Sequence, residues 1–264
     1  MPRTDIINFL RRAVTHRRIH LTSFDPCCHN VANLPETVME AAQANTDGFL
    51  LGGSTGVDRE MVESFTRVIR ETLEKNYDEM SRPPLILFPS SAQSALASLA
   101  DAVLFLSLLN SRDVQFLIRE QAMAAPFLRR MDLEPLGCGM IAVEPGGTAG
   151  KVGIAELVKH EDIEAAIGYA TAAEAFGFPL IYLNAGSGSD RPVPPAMIRE
   201  VAGSIRVPLI VGGGLTDAEK VASAVQAGAD IVVTGTAVEH CNDVPGVIGS
   251  MAEAVHSVPP KEEL

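Results

Sequence analysis

The residues best suited to chemistry are three groups of glycines in the last third of the chain, each placed directly after a short apolar segment. Glycine lets backbone N–H groups approach an anion closely, and the N-terminus of a following helix adds positive potential. A tight turn before a helix would explain any one group. Three groups after neighbouring apolar segments instead predict a phosphate-binding site. The groups are Gly186-Ser187-Gly188, Gly212-Gly213-Gly214 and Thr234-Gly235-Thr236.

A carboxylate and a hydroxyl group follow the first two apolar segments of the chain. Asp25 precedes Pro26, and Ser54 follows a pair of glycines. Their oxygens could hold Mg²⁺, which takes one or two protein ligands and completes its shell with phosphate and water. Equally, Asp25 could cap a turn and Ser54 could cap the next helix. The spacing alone leaves these two interpretations even.

Composition restricts the class of protein. Hydrophobic residues make up 47% of the 264 residues and charged residues 20%, which is typical of a folded domain with a large core. The net charge of −12 argues against a nucleic-acid partner, because phosphate backbones require basic surfaces. The apolar runs are short for a membrane span, and the first residues do not resemble a secretory signal. We therefore expect a cytoplasmic protein.

Eight short apolar segments alternate with helical segments along the whole chain. Helices between buried strands indicate a parallel sheet covered on both faces, and eight such units close a barrel. We predict an α/β fold, a (β/α)8 TIM barrel forming a single domain over residues 1–264, with an N-terminal helix at 1–17 and a frayed tail at 257–264. The predicted strands are residues 18–24, 47–51, 85–88, 102–107, 139–144, 179–184, 208–211 and 230–235.

Three other residues near strand ends are weaker candidates. Glu144 ends the fifth predicted strand and could bind a substrate hydroxyl or only a backbone amide. His20 lies within the first strand, where a hydrogen-bonded core histidine is commoner than a catalytic base. His29 follows that strand, in what we expect to be a surface loop.

With these residues in view, the chain resembles the geranylgeranylglyceryl phosphate synthase family of prenyltransferases. The matching motifs occur in order from about residue 20 to residue 240, and their combination is specific, although the last two alone would fit many phosphate-binding barrels. The motifs are HLTSFDP (20–26), GFLLGGSTGVD (48–58), LILFPSS (85–91), LFLSLLNSRD (104–113), AVEPGGTAGKVG (142–153), IYLNAGSG (181–188), PLIVGGG (208–214) and AGADIVVTGTAVE (227–239).

The resemblance implies a reaction and a set of site residues. In that family a glycerol phosphate oxygen displaces diphosphate from a prenyl diphosphate, with Mg²⁺ on the diphosphate. The resemblance places Mg²⁺ on Asp25 and Ser54, which turns the even choice at Asp25 towards function. It implies an apolar groove for the isoprenoid along 91–107 and 122–127. The implied acceptor-binding residues are Tyr182, Leu183, Asn184, Ala185, Gly186, Ser187, Gly188, Gly213, Gly214, Gly235 and Thr236.

One position departs from the family pattern. The family has a glutamate where this chain has Asn184, and an amide cannot accept a proton. An amide at this position suits an acceptor that carries its own carboxylate, since two like charges about 4 Å apart cost about 4 kcal/mol at an effective dielectric constant of 20. Asp25 and Asn184 are thus the predicted catalytic positions. The departure favours the moenomycin-type farnesyl-3-phosphoglycerate synthase offshoot of antibiotic biosynthesis, with the lipid synthase acting on sn-glycerol-1-phosphate as the alternative.

Further expectations concern partners and rival functions. The resemblance implies a homodimer, and a lipid product implies peripheral contact with a membrane. A sugar-phosphate isomerase using the same phosphate site is a rival, but it would need an acid–base pair across the barrel mouth. A non-catalytic phosphate or isoprenoid binder is another, and Asn184 keeps it open.

Overall fold

Eight parallel strands form a closed barrel in the computed structural model, which describes residues 5–53, 56–89, 96–239, 241 and 243–260. Each strand pairs with the next along the chain, and β8 returns to pair with β1. The predicted single-domain TIM barrel is confirmed. The strands are β1 Ile19–Phe24, β2 Gly48–Leu51, β3 Leu85–Leu87, β4 Ala102–Leu108, β5 Glu134–Ala142, β6 Leu180–Asn184, β7 Leu209–Gly212 and β8 Ile231–Thr234.

Among the described residues, helices follow every strand except β3 and cover the outside of the barrel, and α1 precedes β1. Several begin at an aspartate whose side chain accepts a backbone N–H of the first turn, as Asp58 does from Met61 at 2.8 Å. The helices are α1 Ile6–His16, α2 Leu34–Gln43, α3 Arg59–Asn76, α4 Glu120–Met131, α5 Gly147–Val152, α6 Ile163–Ala175, α7 Pro195–Ser204, α8 Ala218–Gln226, α9 Thr236–Glu239 and α10 Val244–His256; a π-helical turn at Gln115–Arg119 precedes α4.

The local structure differs from the prediction in several places. Strand β5 begins at Glu134, five residues before its predicted start, because Pro135 and Gly137 disguise a strand whose first carboxylate accepts the N–H of Ile6 at 2.5 Å. The π-helical turn and the short helices α5 and α9 were not predicted as such. Of the predicted tail at 257–264, residues 257–260 are described, and there the Nε of Arg18 donates to the carbonyl of Pro259 at 3.1 Å.

Side-chain alternation along each strand decides which residues reach the barrel interior. On β6, Tyr182 packs in the interior with residues of β1 and β4. Its neighbour Leu183 packs outward against the helices. Of two adjacent residues on a strand, only one can therefore point into the barrel.

Buried ion pairs stabilise the N-terminal end of the barrel. Arg82 donates to both carboxylate oxygens of Asp101, at 2.8 and 3.0 Å, and Arg70 donates to the same carboxylate at 2.9 Å. These side chains are almost fully buried. The hydrogen bonds between the opposite charges offset the cost of removing them from water. The opposite, C-terminal end is left for the open cleft, as in other barrels of this architecture.

Candidate active site

A cleft lies at the C-terminal end of the barrel. The loops after β1, β2, β6, β7 and β8 form its walls, with Phe88 after β3 and Ala149 of α5 on one side. Its lining residues are Ser23, Asp25, Gly52, Gly53, Phe88, Ala149, Tyr182, Asn184, Ser187, Gly213, Gly214, Leu215, Thr216, Val233, Thr234, Gly235, Thr236 and Glu239.

Backbone groups, rather than basic side chains, are the available anion ligands on one side of this cleft. The described lining residues include no lysine or arginine. Gly213 and Gly214 have φ angles of 85° and 73°, a region that favours glycine. A Cβ at Gly213 would lie 2.5 Å from the backbone nitrogen of Gly186, so the loops after β6 and β7 pack through their backbones.

The loops after β6 and β8 are joined by a threonine. The hydroxyl oxygen of Thr236 accepts the N–H of Gly188 at 3.2 Å and lies 3.3 Å from the hydroxyl of Ser187. Thr236 is also the first residue of the short helix α9, directly after Gly235. This is the arrangement in which barrels of this architecture often bind phosphate, with a short helix after the last strand. We call Ser187, Gly213, Gly214, Gly235 and Thr236 the glycine cradle.

Two side chains of β6 form the floor beside the glycine cradle. Asn184 is buried, and its side-chain oxygen accepts the N–H of Gly186 at 2.8 Å. The amide group of Asn184 lies 3.7 Å from the sulfur of Met140. Tyr182 is buried against Phe88 and beside Gly212, and burial raises the pKa of its hydroxyl. Asn184 thus shapes the turn into the glycine cradle and is a neutral group.

Asp25 lies across the cleft, where the loops after β1 and β2 meet. One oxygen of its carboxylate accepts the N–H of Cys27 at 2.9 Å, and no hydrogen bond from the described residues reaches the other. A Cβ on Gly53 would collide with this carboxylate, so glycine is required for the loops to meet. His29, half-buried, places Nδ1 3.0 Å from the carbonyl of Asp25 and supports the turn. Asp25 therefore has one oxygen available to a ligand.

The cysteines beside Asp25 are poor nucleophiles. Cys27 and Cys28 are exposed free thiols. Burial and the nearby carboxylates of Glu239 and Asp25 raise the pKa of Cys28 to about 11. The thiol is therefore protonated at neutral pH, and thiolate is the reactive form.

An apolar groove continues from the cleft. Both share Gly53, Phe88 and Ala149 in their walls. Residues of β4 and of the inner face of α4 line the groove, among them Phe105 and Leu128. The other residues that line the groove are Pro89, Leu96, Val103, Leu104, Leu106, Leu108, Phe116, Glu120, Gln121, Ala124, Met140, Val152 and Gly153. It coincides with parts of the two predicted wall segments, of which residues 91–95 are outside the described residues.

Several predicted site residues do not line the cleft. The side chains of Leu183 and Ala185 point into the helix layer, because strand alternation sends them outward. Glu144 is half-buried and is not among the described residues that line the cleft. Its backbone carbonyl oxygen lies 2.7 Å from Nε2 of His160. Gly186 and Gly188 contact the glycine cradle without lining the cleft. The backbone of Gly186 packs against Gly213, and the N–H of Gly188 donates to the hydroxyl of Thr236. Ser54, the second predicted metal ligand, is outside the described residues.

His20 has the structural role that was expected. It is fully buried, and Nε2 lies 2.8 Å from the hydroxyl of Thr234. Burial lowers the pKa of His20 to about 4, so the ring is neutral at physiological pH.

Sequence reasoning missed Glu239. It lines the cleft because α9 begins at Thr236 and places residue 239 one turn further on. The motif GTAVE includes this glutamate, but its position in the cleft can be predicted only if a helix is predicted to begin at Thr236. Asp25 and Glu239 are the carboxylates among the described residues of the cleft.

The fold and the site together define a TIM-barrel protein whose mouth joins a glycine-lined cleft to an apolar groove. The chain belongs to the PcrB family, whose family model matches residues 12–255.

Characterised relatives extend over nearly the whole chain. A geranylgeranylglyceryl phosphate synthase from Methanothrix thermoacetophila is 42% identical over 238 residues, which are 90% of each chain. One from Methanosarcina acetivorans is 39% identical over 91% of this chain and 94% of its own. The crystal structure of (S)-3-O-geranylgeranylglyceryl phosphate synthase from Thermoplasma acidophilum, in complex with sn-glycerol-1-phosphate, superposes with a TM-score of 0.90 at 32% identity and covers 98% of this chain and 100% of that chain. The prediction of a prenyltransferase is confirmed.

Proposed function

We propose that this protein transfers a prenyl group from its diphosphate to sn-glycerol-1-phosphate and forms an ether, the reaction that the names of its relatives describe. The observation that carries the proposal is the continuity of the glycine cradle with the apolar groove at Gly53, Phe88 and Ala149. A phosphorylated acceptor and an isoprenoid need these two environments side by side. We propose sn-glycerol-1-phosphate in place of the predicted 3-phosphoglycerate, because the relatives support the alternative acceptor.

The glycine cradle is suited to the acceptor phosphate. Its N–H groups and the first turn of α9 supply partial positive charge without a basic side chain. The phosphate would lie against Gly213, Gly214 and Thr236, with the glycerol carbons towards Tyr182 and Asn184. The acceptor hydroxyl would then face the junction with the apolar groove.

The bond changes at that junction are a simple displacement. The acceptor oxygen bonds to C1 of the prenyl group, the bond from C1 to the diphosphate oxygen breaks, and the hydroxyl proton passes to a base. Asp25 would hold Mg²⁺, which supplies neutralisation of charge on the departing diphosphate. Among the described residues, no group of three or more His, Cys, Asp or Glu side chains is arranged to hold a metal ion by itself, so diphosphate and water would supply most of the ligands.

The base must be another residue than Asn184. Asp25 and Glu239 are the carboxylates among the described lining residues, and we assign Asp25 to the metal. Glu239 follows the phosphate-binding turn of α9 on the same helix. We therefore assign the proton-accepting role to Glu239.

Acceptor preference tests the proposal. Purified protein with Mg²⁺ and geranylgeranyl or farnesyl diphosphate should give a higher kcat/KM with sn-glycerol-1-phosphate than with its enantiomer or with 3-phosphoglycerate. Mass spectrometry of the product would identify the ether. A strong preference for 3-phosphoglycerate would reverse the assignment in favour of the second candidate, which rests on the neutral Asn184. Absence of transfer to all three acceptors would leave a binding protein.

A further inference from the structure

The helical segment from residue 112 to residue 131 has apolar side chains on its outer surface. Four large ones are exposed: Val114 by 50%, Ile118 by 58%, Met123 by 37% and Phe127 by 48%. The inner surface of the same segment lines the apolar groove. A helical segment that is apolar on both sides needs a partner on its outer side.

The other exposed residues of this segment give its outer surface a positive charge. Besides the large apolar side chains, its exposed residues are small apolar ones and four arginines: Arg112, Arg119, Arg129 and Arg130. The guanidinium of Arg130 lies 4.6 Å above the ring of Phe127. Both acids of the segment, Asp113 and Glu120, are only half-exposed and hydrogen-bond with Gln115. This arginine–apolar face, defined as the exposed residues of 112–131, is therefore locally basic in a protein of net charge −12.

Helix α3 shows that this pattern is not general. Its exposed residues are all polar and of both signs: Arg59, Glu60, Arg67, Glu71, Glu74, Lys75 and Asn76. The same buried sheet is thus covered on one side by an ordinary solvated helix and on another by a cationic, apolar one.

The position of the face connects it with the groove. Phe116, Ala124 and Leu128 of the segment line the groove from within. Val152 lines the groove and is also 41% exposed, so the apolar rim reaches the surface. The neighbouring Ile154 is 43% exposed, and its carbonyl accepts the N–H of Arg112 at 3.1 Å.

We propose that the arginine–apolar face docks on the surface of an anionic phospholipid bilayer, with its apolar side chains in the interfacial region and its arginines among the headgroups. Such a helix lies in the plane of the interface, and each nearby basic residue strengthens binding to anionic lipid. Docking would place the mouth of the groove beside the lipid phase. The proposal goes beyond the proposed reaction, because binding to the bilayer requires no turnover.

Charge favours a bilayer over a second copy of the chain. In a two-fold interface the same face meets itself, so the arginines of one copy would oppose those of the other. The described residues place no salt-bridge partner on any of these arginines. Anionic headgroups would neutralise them, and the remainder of this acidic protein would be repelled by the same headgroups.

Vesicle co-sedimentation without substrates tests the proposal. The protein should partition onto vesicles of phosphatidylglycerol and phosphatidylcholine at low salt, and several-fold less onto pure phosphatidylcholine or at high salt. The triple variant Arg119→Gln, Arg129→Gln, Arg130→Gln should weaken partitioning by about tenfold or more. The matched triple variant Arg67→Gln, Arg199→Gln, Arg206→Gln has the same charge change on exposed residues elsewhere and should weaken it by less than about twofold. Equal losses in the two triples would overturn the proposal, as would no binding to anionic vesicles.

A second pair of variants tests the apolar part. Ile118→Ser with Phe127→Ser should weaken partitioning several-fold, whereas Phe176→Ser, at a residue 80% exposed on another surface, should leave it unchanged. Circular dichroism would establish that each variant is folded. If the double variant instead reduces the oligomeric state in sedimentation velocity and leaves vesicle binding intact, the face is a contact between copies and the proposal is wrong. Loss of prenyl transfer alone would bear on the reaction and not on docking.

Discussion

The two sides of the barrel mouth present different chemical groups to a ligand. The side formed after β6, β7 and β8 presents backbone N–H groups on glycine turns. The side formed by β3, β4 and α4 presents apolar side chains. A backbone site depends on φ angles and close approach, so it tolerates few residue types. A side-chain groove can change its volume without losing its chemistry. Substitutions should therefore abolish binding on the first side and alter chain-length preference on the second.

The largest effect is expected at Asp25, whose carboxylate lies beside Gly53, one of the residues shared by the cleft and the groove. Asp25→Asn should reduce kcat by orders of magnitude, because the leaving diphosphate loses its metal-centred neutralisation. Excess chelator should reduce the activity of the parent protein to a similar level. Asp190→Asn, at an exposed aspartate outside the cleft, is the matched control. Parent-like turnover in Asp25→Asn, with the thermal midpoint unchanged, would remove Asp25 from the site.

The assignment of the base predicts the next effect. Glu239→Gln keeps the shape of the side chain and removes its proton-accepting capacity. We expect kcat to fall by about 10²-fold or more, with little change in the KM for acceptor. Steady-state kinetics separates the two terms. A Glu239→Gln protein that keeps its kcat would show that the proton leaves by another route.

The glycine cradle can be broken by a single methyl group. At Gly214, where φ is 73°, a Cβ would lie 2.8 Å from the backbone nitrogen of Pro192. Gly214→Ala should raise the KM for the acceptor phosphate by about tenfold or more, corresponding to a distortion of about 1–3 kcal/mol. Gly203→Ala in α7, where a Cβ meets nothing within 4 Å, should leave the kinetics unchanged and stabilise the fold slightly. Equal kinetics in the two variants would argue against phosphate at the cradle.

Asn184 sharpens the comparison because it tests charge at the floor of the glycine cradle. Asn184→Glu should raise the ratio of kcat/KM for sn-glycerol-1-phosphate over 3-phosphoglycerate by about tenfold, since a carboxylate there repels the second acceptor's carboxylate. Asn184→Gln adds the same length without charge and should change that ratio little. A similar change in both variants would assign the effect to size.

The barrel and the location of the site follow from sequence pattern, whereas several side-chain roles do not. Eight apolar segments separated by amphipathic helices suffice to predict the closed parallel sheet, and glycines after β6 to β8 predict the anion site. The resemblance implies acceptor-binding roles for residues 182–188 as one run, whereas strand alternation turns Leu183 and Ala185 outward and Tyr182 inward. Glu239 depends on a four-residue helix that leaves almost no periodic signal.

The groove side should yield the smallest change in rate and the clearest change in specificity. Phe105 and Leu128 line both the groove and an adjoining cavity beneath it, so their side chains form the boundary between the two. Phe105→Ala removes most of one side of that boundary. We expect the ratio of kcat/KM for a geranylgeranyl over a farnesyl donor to rise several-fold, with kcat for the shorter donor nearly unchanged. Phe176→Ala, at an exposed phenylalanine, should leave the ratio as in the parent.

Competition between the two donors, with products resolved by mass spectrometry, measures the ratio directly. An unchanged ratio in a folded Phe105→Ala protein would show that the isoprenoid ends before this boundary, and that groove length on this side is set nearer to Phe88.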